Sequence, residues 1–274
     1  MTASELLLLT GAGLFAGILA GFLGIGGGTV LVPLLVALGY TPLQSVATSS
    51  LSIVITAISG SIQNWRMGYF SFKRVIWIGF PAIVTAQIGA GLASHIRPYY
   101  LLGAFGLLLL LNIYLVELRK RLTANQQSEE DLTAAASAPE SAATDLFNPT
   151  IAKLTTGSLA GILAGFFGVG GGVIMVPLQI LLLGETIKTA IQTSLGVIVI
   201  TAVSACVGHA LRNNVLWIVG LILGGGGLIG AQISTRFLPK LPDEVVSLAF
   251  RLFLAIISIY IFWQAWQSYT SFHS

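Results

Sequence analysis

AGFLGIGGGTVLVPLL, residues 20–35, returns as AGFFGVGGGVIMVPLQ at residues 164–179. Shifting the chain by 144 places lays Gly13–Leu34 over Gly157–Leu178 with 15 of the 22 positions identical, so the gene product is an internal duplication. The shared frame has two parts. Gly13, Gly17 and Gly21, with partners Gly157, Gly161 and Gly165, recur every four residues, the spacing that lets apolar helices approach closely. Gly26-Gly27-Gly28 and Gly170-Gly171-Gly172 are consecutive, which helix packing does not require and which a helix interior resists. Each motif therefore predicts a helix broken in the middle of an apolar segment.

The surroundings of both breaks are membrane-like. Hydrophobic residues make up 55% of the 274 residues and charged ones 8%, with mean hydropathy +0.90, too little polar surface to solvate a soluble globule. The first segment continues from Leu6 past Gly21 without the cationic start and cleavage site of a signal peptide. Each half shows one layout: a Gly-broken apolar segment (6–38; 154–183), then three helices, over 43–63, 75–94 and 99–118 and again over 187–207, 215–233 and 245–266. At the same offset Ser49-Ser50-Leu51 meets Thr193-Ser194-Leu195, and with small gaps Ile88-Gly89-Ala90 meets Ile229-Gly230-Ala231. The predicted units are residues 1–118, a flexible acidic cytoplasmic linker over 119–150 that carries Glu129-Glu130-Asp131, and residues 151–274.

Basic residues choose between the two courses open to a broken segment. A single crossing divides the thirteen Lys and Arg eight to five between the sides of the membrane. A segment that enters and returns places Arg66, Lys73, Arg74, Arg119, Lys120, Arg121, Lys153, Lys188, Arg236, Lys240 and Arg251 on one side and only Arg97 and Arg212 on the other. The second division fits the positive-inside rule. The expected fold class is an all-α polytopic membrane protein of two inverted repeats, each a Gly-broken helical hairpin plus three transmembrane helices, with both termini non-cytoplasmic. The second arm of each hairpin either spans or re-enters.

Irregular backbone at membrane depth survives only where protein or a wet cavity satisfies it, and paired broken segments in two repeats point to a transport site. A helix restarting after a break presents unpaired N–H groups and a positive dipole end, a setting for an anion. The candidate substrate-binding residues are Gly26, Gly27, Gly28 and Thr29; Thr48, Ser49 and Ser50; and, in the second copy, Gly170, Gly171 and Gly172 with Gln192, Thr193 and Ser194. Intramembrane hydroxyls also bond their own preceding turn, the competing role for Thr48–Ser50 and Thr193–Ser194. Asn64 and His209 occupy matching places, each close to an arginine, Arg66 or Arg212. They read either as a gate beside the anion path, with His209 the titrating group, or as interfacial anchors.

Glu5, Glu117 and Glu185 lie at the edges of predicted spans and no Asp or Glu falls deeper, so a carboxylate proton relay and the usual counter-charges of a cation substrate are both lacking. The three scattered histidines build no catalytic triad or His-x-x-x-His metal site, and the lone Cys206 excludes an internal disulfide. The glycine runs lack the following Lys-Ser/Thr of a phosphate loop. An enzyme, a metal site, a cofactor and a nucleic-acid partner are accordingly not expected. The expected partners are a small anion and the lipid bilayer, with a homodimer left open.

In these motifs the chain resembles the sulfite exporter family of the TauE/SafE type, marked by two copies of a Gly-rich run followed by Val-Pro, here Val32-Pro33 and Val176-Pro177. The resemblance covers nearly all of the chain outside the linker. It implies a multi-pass transporter of sulfite, sulfonates, thiosulfate or related organic anions, in bacteria usually in the cytoplasmic membrane. Thr29 faces Val173 in the alignment and Asn64 faces His209, so a site between the copies cannot be chemically symmetric. Alternating access around the two breaks is the expected mechanism; an anion channel, or a scaffold or receptor with a vestigial cavity, are the alternatives.

Overall fold

The structure is a computed structural model that describes residues 3–97, 99–111, 113–114 and 149–273. Helices α1 (Ala3–Leu23), α2 (Gly28–Ala37), α3 (Pro42–Arg66), α4 (Phe72–Ala93) and α5 (Tyr99–Leu111) form the first copy. The second comprises α6 (Pro149–Phe167), α7 (Gly172–Leu183), α8 (Ile187–Ala210), α9 (Trp217–Phe237) and α10 (Asp243–His273). No strand occurs among the described residues. Seven of these helices, all but α2, α5 and α7, are long and apolar enough to cross a membrane. The expected linker lies outside the described residues except Pro149 and Thr150, which open α6.

Local chemistry sets the helix ends. Thr41 caps α3 in a capping box with Gln44, and Pro42 occupies the first turn, where its missing N–H costs nothing. Thr186 caps α8 by accepting from the amide of Thr189. Between each α1-type and α2-type helix the chain turns on three glycines with positive φ: Gly24, Gly26 and Gly27 (67°, 77° and 80°), and Gly168, Gly170 and Gly171 (63°, 72° and 77°). L-residues with side chains rarely adopt that region, which is why the breaks are glycine.

After the break, α2 returns along α1. A methyl on Gly27 would lie 2.9 Å from the Ala16 carbonyl oxygen, Leu31 and Leu35 pack with Leu9 and Ala16, and Leu38 and Tyr40 share a hollow with Glu5, Leu8 and Leu9. At 1.5 Å per residue, α1 is about 31 Å long and α2 about 15 Å, so the returning arm covers only half the depth. In the second copy Gly171 falls beside Ala160 in the same manner.

The glycine stripes are packing devices. Gly13, Gly17 and Gly21 seat α1 on Leu223, Gly227 and Ser234–Thr235 of α9, and Gly157, Gly161 and Gly165 seat α6 on Ile78, Ala82 and Ala86 of α4. Each first helix thus packs, in parallel, on a helix of the other copy. Matching polar clasps complete the units. Ser59 Oγ donates to the Leu228 carbonyl (2.8 Å) and Gln232 Nε2 to that of Ser59 (3.1 Å). Ser204 Oγ donates to the Ile83 carbonyl (2.6 Å) and Gln87 Nε2 to that of Ser204 (2.6 Å). The molecule therefore divides into α1, α3 and α9 on one side and α4, α6 and α8 on the other.

The seam between these units is α3 against α8, the corresponding helices of the two copies, and they run antiparallel. Ala47 and Leu51 cluster with Cys206, Ile53 with Ile198, and Asn64 reaches Gln192. α10 is tied over α2 by Gln264 Nε2, which donates to the Pro33 carbonyl at 3.0 Å. Arg66, Lys73, Arg74, Lys153, Lys188, Arg236 and Lys240 gather at one end of the bundle, Arg97 and Arg212 at the other. Ion pairs Arg74–Glu185 and Lys188–Asp243, both 3.1 Å, tie loops at the basic end.

The structure also corrects the register of the duplication. From α3 onward equivalent residues are 145 apart, because α7 has 12 residues where α2 has 10 and the following connection is shorter by only one. Ser49 thus pairs with Ser194 and not with Thr193. Gly89 corresponds to Ser234 and not to Gly230, because Ile78 and Leu223 receive the equivalent Gly157 and Gly13. The sequence alignment had slipped there by about one helical turn, which leaves the same small-residue face inward.

Candidate functional site

The two breaks touch at the middle of the seam. A methyl on Gly28 would lie 2.7 Å from Val169 Cα, and one on Gly172 3.0 Å from Ile25 Cα. Ile53 and Ile198, near the midpoints of α3 and α8, approach both: methyls on Gly26 and Gly170 would lie 3.2 and 3.1 Å from Ile53 Cγ2. Residues 24–29 and 168–173 are buried throughout. The hollow of about 480 Å³ between α4 and α8, lined by Ile83, Gln87, Val203, Ser204 and Val207, lies elsewhere and is almost wholly apolar.

Reciprocal hydrogen bonds lock the breaks to the opposite copy. Ser49 Oγ donates to the Gly168 carbonyl at 2.9 Å, and Ser194 Oγ to the Gly24 carbonyl at 2.8 Å. Thr201 Oγ1, which the sequence reading passed over, donates to the Gly170 carbonyl at 2.7 Å. The carbonyls of Gly24, Gly168 and Gly170 are thereby satisfied and amides are left over. Among the described residues no acceptor is met by the N–H groups of Gly26, Gly27, Gly28 and Thr29, nor by those of Gly170, Gly171 and Val173. These are the orphan donors expected at the starts of α2 and α7. Thr29 Oγ1, on the second residue of α2, is fully buried and without a partner, and Ser52 Oγ, next to Ile53 on α3, is likewise buried and unpartnered. Pro33 and Pro177 each also release the carbonyl four residues earlier, that of Thr29 or Val173.

The other sequence candidates have different surroundings. Thr48 Oγ1 accepts from the Leu216 amide at 3.1 Å and so holds the start of α9. Ser50 Oγ bonds the Val46 carbonyl in its own preceding turn. Thr193 is buried beside Ser194, and the Gln192 carbonyl accepts from Asn64 Nδ2 at 3.4 Å. Asn64 and His209 are fully buried near opposite ends of the seam, with Arg66 and Arg212 exposed beyond them. His209 Nε2 donates to the Gly165 carbonyl at 2.8 Å. Cys206 is buried among Ala47, Leu51 and Val215.

The family model described as sulfite exporter TauE/SafE matches residues 9–261. The chain belongs to this family. Within the TauE/SafE family it is 27% identical to a probable membrane transporter protein of Xylella fastidiosa (strain 9a5c), over 98% of this chain and 99% of that one. It is 23% identical to the probable membrane transporter protein YunE of Bacillus subtilis (strain 168), over 94% and 97%. The probable membrane transporter protein MJ0441 of Methanocaldococcus jannaschii is 25% identical over 76% and 73%. No solved structure matches the chain. A TauE/SafE-type membrane transporter is therefore the coarse function of this multi-pass protein.

Proposed function

We propose that this transporter carries a small anion, of the sulfite, sulfonate, thiosulfate or organic-acid kind, bound at the junction of the two breaks. The observation that carries the reading is the convergence of unpartnered amides from the starts of α2 and α7 at the midpoint of the seam. Two positive helix ends there favour negative charge and disfavour a cation cargo. The Thr29 and Ser52 hydroxyls, replaced by Val173 and Val197 at the equivalent positions, make the site lopsided toward the first copy. Burial of both breaks under Ile53 and Ile198 supports alternating access over an open filter, with the α1/α3/α9 and α4/α6/α8 units moving past one another at the seam.

The same reading sets the two copies inverted in the cytoplasmic membrane, the basic end inside and both termini outside. A reporter tag found in the cytoplasm at either terminus would overturn that orientation. Transport is tested by uptake of labelled sulfite, thiosulfate, a sulfonate and a carboxylate into proteoliposomes. Saturable uptake with acceleration by unlabelled anion on the far side is expected for at least one of them. Thr29→Val keeps the shape of the site and should weaken apparent affinity about tenfold, the worth of ~1.5 kcal/mol for a hydrogen bond to a charged group. No uptake of any of the four, or uptake untouched by Thr29→Val and Gly27→Val alike, would refute the site.

A further inference from the structure

The end of α1 differs from the end of α6 in a way the duplication does not require. In the second copy the Gly165 carbonyl, at the end of α6, is capped by His209. Its counterpart, Gly21, lies at the end of α1, where no donor reaches its carbonyl among the described residues. The residue equivalent to His209 is Asn64, which sends its amide nitrogen to Gln192 and leaves Oδ1 buried without a partner. Thr235 Oγ1 is likewise fully buried and unpartnered, and it lies between these helices: methyls on Gly21 and Gly60 would come within 2.8 and 3.3 Å of it. Gly60 is one turn before Asn64 on α3, so the two unpaired oxygens face the same end of α1. In the second copy the equivalents of Thr235 and Asn64 are Ala90 and His209.

We propose that this cluster of buried oxygens binds a small monovalent hard cation, sodium, through Asn64 Oδ1, Thr235 Oγ1 and the Gly21 carbonyl. Every group offered is a neutral oxygen with a free lone pair, the donor type that hard cations take. The end of α1 adds the negative pole of its dipole, as the start of α2 supplies the positive one five to eight residues after Gly21. A cation at Gly21 and an anion at Gly26–Thr29 would thus sit on the two flanks of a single break, each lowering the cost of the other at membrane depth. The second copy holds no such site, since His209 already places a donor on the equivalent carbonyl.

The site is separable from the anion site because it can be measured without any anion substrate. Purified full-length protein in chloride-free buffer is titrated with ²²Na⁺ in a scintillation proximity assay, with potassium and choline as competitors. Saturable binding that unlabelled sodium displaces and potassium does not is expected. Thr235→Val and Asn64→Leu should each weaken it at least tenfold, and Thr235→Ser, which keeps the hydroxyl, should retain it. Monodispersity on size exclusion separates loss of a ligand from loss of the fold. Absence of saturable sodium binding to the wild type overturns the proposal, as does binding that survives in both well-folded variants. Sodium binding with no anion flux would refute the anion reading and leave this one standing.

Discussion

Ser49 and Ser194 show what one hydroxyl does at this seam and why its role is hard to foresee. Ser50, next to Ser49, bonds its own preceding turn, whereas Ser49 crosses to the opposite copy and holds a glycine carbonyl. Both are serines in one apolar helix, and only the neighbour that each meets distinguishes them. Ser49→Ala and Ser194→Ala should each destabilise the protein by about 1–3 kcal/mol, because each leaves a buried carbonyl unpaired. Equilibrium unfolding of the reconstituted protein measures this, and a wild-type stability in both variants would mean the breaks are held by other contacts. Thr201 was missed because nothing in the local sequence marks it; only the position of Gly170 across the turn gives it a partner. The glycine runs were legible because positive φ at Gly26, Gly27, Gly170 and Gly171, and close backbone approach at Gly28 and Gly172, restrict residue type wherever the fold places them.

Helix bounds were largely legible from hydropathy and caps. The segment expected over 43–63 is α3, Pro42–Arg66, and that over 187–207 is α8, Ile187–Ala210, each begun by a threonine cap. The four-residue glycine stripes were readable as packing faces, but not as to their partners. That α1 seats on α9 and α6 on α4 depends on three-dimensional closure, which a one-dimensional period does not carry. The slipped match of Gly89 with Gly230 has the same cause, though Ala86-Gln87-Ile88 and Ala231-Gln232-Ile233 record the true register. Gly17→Leu should disrupt the α1–α9 contact at a cost on the order of 3 kcal/mol, since even a methyl would lie 2.7 Å from Gly227 Cα and two backbones must part. Gly11, on the same helix with nothing within 4 Å of an added methyl, is the matched control. Gly11→Ala should be neutral or stabilising by up to about 1 kcal/mol. Thermal unfolding in detergent ranks the two, and equal losses would show that α1 packs otherwise.

At the scale of the molecule, the two packed units each draw helices from both copies, and the antiparallel contact of α3 with α8 is their main junction. Sequence identity between the halves marks ancestry and not the rigid bodies. The breaks fall at that junction, where a shift of one unit past the other would move Ile53 and Ile198 relative to the orphan amides. The most direct measurement is a crystal structure of the protein with selenite, whose selenium locates an oxyanion by anomalous scattering. The strongest anomalous peak is expected within hydrogen-bonding reach of the Gly26–Thr29 amides and the start of α7. A peak confined to the groove between α4 and α8 or to the basic end, in protein that still transports the anion, would contradict a shared site between the two breaks.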